Sequence, residues 1–321
     1  MRFFIKSIFN LSYIFVLLVF MANDVRAQNF NDANSYLTFI DSQNEKVVTS
    51  VWNYMQVYTF SKDDIAIKGR RKQLENTIRK SMVKVNKIKA FDPDLKRAMI
   101  NYLEGNLAIV KEDLLVLLKS KDAGKVVTNQ LQIIQNIRKA VYKLRADYND
   151  AIAVYGDKHD LIIKENTSEL AHNMKQTIMV YDYYNELQLA FSNLQQVERN
   201  FWQGLNEKDI ASYRNAVVNL KSKLYDTLQL EKFNSYSLDD NLYNALVKYN
   251  EKLHTQVTVD LKPIELIKED AQTGSRENIM AKTEAYNAAI HDANVWRKHF
   301  YKEWREISTT FLQSHVPYDV E

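Results

Sequence analysis

The chain has 321 residues, 43 Lys and Arg against 40 Asp and Glu, no cysteine, six glycines and three prolines. A net charge of +3 that is not gathered on one face lacks the basic excess a nucleic-acid binder uses to displace counterions. The absence of cysteine excludes disulfides, thiol catalysis and lipid attachment at a cysteine, so stability has to come from apolar burial.

In chain order, residues 1–27 read as a secretory signal. Arg2 and Lys6 are followed by an apolar run from Leu11 to Ala22 and by Val25-Arg26-Ala27, the small-residue pattern read at a cleavage site. A run of about twelve is shorter than the ~20 residues needed to span a bilayer. The expected product therefore starts at Gln28 with no transmembrane segment. Removing Arg2, Lys6 and Arg26 together with Asp24 leaves 40 basic and 39 acidic residues.

Scarce glycine and proline and an apolar spacing of three and four predict an all-α chain with eight long helical segments. These are expected near 31–60, 64–90, 93–120, 125–155, 166–206, 208–233, 239–270 and 275–314. The second carries the basic stretch Lys68 to Lys89, read as a solvated outer face. Asp92-Pro93 has the form of a capping carboxylate followed by proline at the first helical position. Gly156-Asp157 predicts a turn, and Pro263 a kink or break inside the seventh segment. Leu95, Met99, Tyr102, Leu103, Val110, Leu114 and Leu117 form one apolar stripe, and Leu242, Leu246, Tyr249, Leu253, Val257 and Leu261 another. Each stripe has to be covered, and short connections favour antiparallel neighbours, giving two tandem up-and-down four-helix bundles, 28–156 and 157–321.

An internal repeat supports that division. Asp64-Ile65-Ala66 recurs as Asp209-Ile210-Ala211, an offset of 145. "LKRAMINY" from Leu95 parallels "LYNALVKY" from Leu242 at 147, with Val110 and Asp113 answering Val257 and Asp260. The fourth helices align at 138 when Arg138 to Ile152 is laid on Arg276 to Ile290. Order is kept, which favours a duplication.

Four chemistry-bearing features need weighing. The stretch "WRKHFYKEW", Trp296 to Trp304, places Trp296, Phe300, Trp304, Ile307 and Phe311 within an arc of about 80°, the signature of a packing seam. His299 and Glu303 stand four apart at its margin, where they can pair across a turn or serve a ligand. In "YDYYNELQLAF", Tyr181 and Tyr184 share a face, and a tyrosine's apolar ring with its polar tip suits sugar or peptide contacts. Glu169-Leu-Ala-His172 and Glu251-Lys-Leu-His254 match the Glu-x-x-His pattern of carboxylate-bridged di-iron bundles. At ~1.5 Å per residue the two motifs stand about 35 Å apart, so they cannot share a metal pair. No metal site, cofactor or catalytic constellation is expected, and with no phosphate loop, nucleophile elbow or His-Glu-x-x-His helix the chain reads as a non-enzyme.

The "AQ" at the cleavage site, the helical layout and the ending "FLQSHVPYDVE" resemble a family of uncharacterised exported surface or envelope proteins of spirochaetes and Bacteroidota. The resemblance implies export to the periplasm or cell surface, and no catalytic residues. The expected function is a scaffold or binding module whose partner is an envelope protein or glycan. The alternative is a small-ligand or metal-binding bundle built on the C-terminal aromatic helix with His299 and Glu303.

Overall fold

A computed structural model describes residues 30–116, 128–205, 210–228, 239–260, 262–273 and 276–318. The expected signal segment lies outside them, as do Asp209, Leu117 and Leu261. Among the described residues the chain is all α: α1 (Ala33–Phe60), α2 (Asp64–Lys87), α3 (Pro93–Ala108), α4 (Thr128–Lys158), α5 (Glu169–Leu205), α6 (Ile210–Leu228), α7 (Asn241–Thr255), α8 (Lys262–Thr273) and α9 (Arg276–His315).

Two of the expected segments are interrupted. A π-helical turn, Ile109–Asp113, follows α3, and a second, Gln256–Asp260, separates α7 from α8. Such a turn inserts one residue into the α-helical count and shifts the facing side chains. Pro263 sits at the second position of α8, where its missing N–H breaks no helical bond. Asp92 caps α3 as its sequence predicts, its Oδ1 accepting from the N–H groups of Asp94 (2.9 Å) and Leu95 (2.8 Å). The turn expected at Gly156 comes later. α4 continues to Lys158 and closes at Asp160, whose φ of 52° is left-handed, with Leu161 N–H donating back to the Gly156 carbonyl at 2.9 Å. Gly156 is required for a different reason: a Cβ there would stand 2.7 Å from Ile163 of the returning loop.

The chain divides into two compact units that interleave along the sequence. Unit 1 takes residues 1–51, 71–112 and 139–165, and unit 2 takes 52–70, 113–138 and 166–321. This differs from the serial cut expected at 156/157. The physical reason is helix length: α1 gives its first part to unit 1 and its last turns to unit 2, while α2 and α4 each begin in unit 2 and end in unit 1.

In unit 1 the Tyr36 hydroxyl, fully buried, donates to the Asp92 carbonyl (3.3 Å), and the Tyr155 hydroxyl donates to the Ala33 carbonyl (2.8 Å). Tyr102 and Tyr148 stack at 4.9 Å. In unit 2 the core runs from Val180 and Leu187 on α5 through Leu220 on α6 and Leu246 on α7 to Phe300 and Phe311 on α9. The last turns of α1 join it. Gln56 Nε2 donates to the Pro317 carbonyl (2.7 Å), Thr59 shares a hydrogen bond with the Tyr181 hydroxyl (2.7 Å), and the Phe60 ring meets Tyr318 at 4.6 Å.

Two structural features recur at the offset read from the apolar stripes. The two π-turns, 109–113 and 256–260, fall at the same 147-residue offset as the stripes. Asp92 and Asp239, also 147 apart, each meet a histidine at the end of a fourth helix: His159 at 3.9 Å and His315 at 2.9 Å. Each histidine packs on the aromatic ring four residues earlier, Tyr155 (4.5 Å) or Phe311 (4.8 Å). That relation aligns the fourth helices at 156, correcting the offset of 138 read from the sequence. The earlier alignment rested on a Tyr-Asn pair, whereas this one rests on side chains in equivalent contacts.

Candidate functional site

The C-terminal aromatic helix converges with α5 and α7 on one carboxylate. Glu198 occupies the apolar stripe of α5, four residues beyond Leu194 and three before Phe201, so helical geometry carries it inward and its side chain is fully buried. A buried carboxylate requires partners on every lone pair. The Tyr249 hydroxyl of α7 donates to Oε2 at 2.6 Å, and the Tyr301 hydroxyl of α9 donates to the same oxygen. Trp202 Nε1 donates to Oε1 at 3.0 Å. Arg297 Nε stands 2.6 Å from Oε1, an ion pair rather than an aligned hydrogen bond. The guanidinium lies over the Trp202 ring at 4.9 Å, adding a cation–π contact.

Aromatic rings close the surroundings. Tyr249 stacks on Phe300 (4.4 Å) and on Trp296 (5.6 Å), and Phe191 stacks on Trp304 (4.2 Å). The seam expected of "WRKHFYKEW" is therefore observed, with Phe300 and Trp304 buried and Lys298, Lys302 and Arg305 exposed. Burial, and then the Glu198 charge, push the Tyr301 hydroxyl up to about 12 and the Tyr249 hydroxyl well above its ordinary range. Both tyrosines are held as neutral donors. The arrangement is chemically a locked acceptor, with no proton poised to leave.

The four residues singled out from sequence are placed as follows. His299 is exposed. Glu303 pairs with Lys248 of α7 at 3.1 Å rather than with His299. Tyr181 and Tyr184 do share a face, their rings 6.2 Å apart edge to face. The Tyr181 hydroxyl is engaged with Thr59, and the Tyr184 hydroxyl with Gln188, whose amide also accepts from Trp304 Nε1 (3.2 Å) and donates to Ser308 (2.9 Å). Burial pushes both hydroxyls far above their ordinary range. They form part of the wall of unit 2, next to Tyr54 and Tyr58 of α1. Glu169, His172, Glu251 and His254 are all exposed. Among the described residues no group of three or more His, Asp or Glu is placed to hold a metal ion.

Sequence reasoning passed over Glu198 and Arg297. The signal was present: Phe191, Leu194, Glu198 and Phe201 follow the three-and-four spacing of a buried stripe, and a carboxylate on such a stripe demands a buried cation or donors.

Two surface grooves are formed by described residues. The larger, between α5 and α6, has a volume of about 530 Å³ and is lined by Val197, Asn200, Phe201, Ser212, Asn215, Ala216, Asn219 and Ser222. The smaller, about 250 Å³ between α3 and α4, is lined by Asp94, Arg97, Asn101, Asp147 and the stacked Tyr102 and Tyr148, among others. In comparisons with known proteins, the chain matches no family model, no curated protein and no solved structure.

Proposed function

We propose that this chain is a non-enzymatic helical scaffold or binding module, exported to the periplasm or cell surface, that holds an envelope protein or polymer. The observation that carries the reading is where the chemistry-bearing side chains are used. An enzyme brings titratable groups together at an accessible cavity. Here the set around Glu198 is desolvated in the core and engaged by its own donors, the described lining of the larger groove holds no acid, base or cation, and in the smaller groove Arg97 is paired with Asp94 beside Asp147. Among the described residues no helix is long and apolar enough to cross a membrane.

The test is recovery of the chain from intact envelopes after mild crosslinking. A reproducibly enriched protein or glycan is expected, and its absence removes the reading. Cell fractionation with protease shaving checks the compartment. Retention in the cytoplasm would overturn export. The alternative built on the aromatic helix is weakened by Glu303 pairing with Lys248. Native mass spectrometry and elemental analysis showing a stoichiometric metal or small ligand would restore it.

A further inference from the structure

We infer that one end of unit 1 docks on the surface of a lipid bilayer with acidic headgroups, through the lysines of α2 and the exposed apolar side chains of the two loops beside them. Between residues 71 and 89 the chain has seven Lys or Arg against one acid, Glu75. Arg71 and Arg79 pair with that acid, at 3.8 Å and 2.8 Å. Lys80, Lys84 and Lys87 follow at spacings of four and three, on one side of α2, and Lys89 continues them past the helix end. All four are exposed, and none is paired with a carboxylate among the described residues. Val83 stands among them, 52 % exposed.

The row is not explained within the helix. Opposite charges at these spacings would stabilise it, whereas like charges three and four apart repel across each turn. Cations near a helix C-terminus can serve its last carbonyls, but Lys96 already does so: its Nζ donates to the carbonyls of Asn86 (3.0 Å) and Ile88 (2.8 Å). Lys80, Lys84, Lys87 and Lys89 therefore face solvent as an unneutralised row.

The apolar part lies at the same end. Phe91, two residues beyond Lys89, is 39 % exposed, and the loop after α4 carries Ile162 and Ile163, 88 % and 42 % exposed. The two loops are neighbours, because the Phe91 ring meets His159 at 5.5 Å and Lys158 Nζ lies 2.6 Å from Asp92 Oδ2. Phe91 and Ile163 are partly anchored inward, against Tyr36 and beside Gly156, whereas Ile162 stands almost wholly in water. Single exposed apolar residues are ordinary, but their grouping beside a row of unpaired lysines is the composition of a membrane-facing surface. On the second loop Lys164 is outnumbered by exposed Asp157, Asp160 and Glu165, and Asp94 is paired with Arg97. The attraction thus comes from α2 and the apolar contact from the loops.

The pairing of the two features selects the partner. A soluble polyanion would answer the lysines and leave Ile162 in water. An apolar protein surface would answer Ile162 and leave the lysines unpaired. An acidic bilayer answers both, since its headgroups attract basic side chains over about a Debye length and its acyl boundary receives apolar ones. Such docking needs no envelope protein or polymer, so it stands independently of the scaffold reading.

The test is co-sedimentation of the expected mature chain, residues 28–321, which lacks the apolar run from Leu11 to Ala22. Its probes are vesicles of phosphatidylcholine alone and vesicles with about one-third phosphatidylglycerol. Binding to the acidic vesicles, absent from the neutral ones and weakened by salt, is expected. K80Q/K84Q/K87Q keeps good helix formers at exposed positions and should lower the affinity about a hundredfold, about fivefold for each lysine. I162Q alters an almost wholly exposed side chain and should lower it about tenfold while the salt dependence persists. Circular dichroism and the thermal midpoint should match the parent in both, and should one variant lose helicity, the other decides. Heparin, a soluble polyanion, is the control, and it should bind I162Q as it binds the parent. The inference is overturned if the chain fails to bind acidic vesicles at low salt, if neutral vesicles bind it equally, if a folded variant binds as the parent does, or if I162Q loses heparin and vesicles alike.

Discussion

At Glu198 two hydroxyls, one indole and one guanidinium depend on a single buried side chain. Glu198→Ala strands Arg297 and the two tyrosine hydroxyls, and breaking a buried pair of this kind costs about 3–5 kcal/mol. Denaturant unfolding should show that loss. Replacing both partners together, as E198L/R297L, should recover most of it, because an apolar pair needs no compensation. Equal destabilisation by the single and double variants would mean that the pair contributes through packing alone. The same site sets an alkaline limit. Tyr249 and Tyr301 have raised folded values, so their contribution is complete below the ordinary tyrosine value of 10.0 and is lost as pH rises through the folded value. Ultraviolet titration should show these two phenols ionising together with unfolding. Acid acts on the other carboxylates. Burial raises the Asp92 and Asp239 carboxyls, but bonds from Lys158 and the first-turn N–H groups of α3 in one case, and from His315 and Asn241 in the other, outweigh it and hold both below 3.8. Their contribution is complete above 3.8 and falls away as pH drops through the lowered folded values. Asp92→Asn should therefore flatten part of the stability decline measured between about pH 4 and pH 2.

The π-turns are the feature of the elements that was not legible. Apolar spacing predicts the stripe Leu95, Met99, Leu103 and the parallel one from Leu242, and both are buried as expected. The inserted residue leaves no mark in composition, since Ile109–Asp113 and Gln256–Asp260 contain ordinary helix-compatible residues. It is visible only as a phase step in which Ile109 and Val110 are both buried. Deleting exposed Lys111 should return the turn to α geometry and preserve the face on either side. Deleting Ala98 instead rotates everything after it by about 100° and exposes the stripe. Circular dichroism and urea unfolding should show one cooperative transition for the first deletion and its loss for the second. Retention of cooperativity in both would argue that the phase of α3 carries no packing information. Capping was legible where a short-range rule decides it, as at Asp92-Pro93. The end of α4 was missed by a few residues because Asp160, not Gly156, adopts the left-handed backbone.

Among the described residues the all-α class followed from periodicity, whereas the split of the expected segment 239–270 into α7 and α8 and the grouping of the helices did not. Spacing within a helix reports which face is buried, but not which helix covers it. Helices α1, α2 and α4 are each divided between the two units, and no local signal marks the residue where the division falls. The candidate site was half legible for the same reason. The aromatic stripe of α9 is a local pattern, whereas its meeting with Glu198 and Tyr249 depends on which helices are neighbours. A division near residue 165 should consequently fail as a dissection. A fragment of residues 166–321 lacks Gln56, Thr59 and Phe60, whose partners Pro317, Tyr181 and Tyr318 it retains. Its thermal unfolding should be broadened and its dye binding raised, and a peptide covering Trp52–Arg70 should bind it and reverse both changes. An isolated fragment as cooperative as the full chain would show that those last turns of α1 are dispensable to the unit.

The bond from Gln56 to Pro317 joins positions 261 residues apart. Contacts between positions so far apart in sequence carry a large loop-closure cost and form slowly relative to local helix, so this seam of α1 against Pro317 is expected to be among the later contacts of unit 2 to settle.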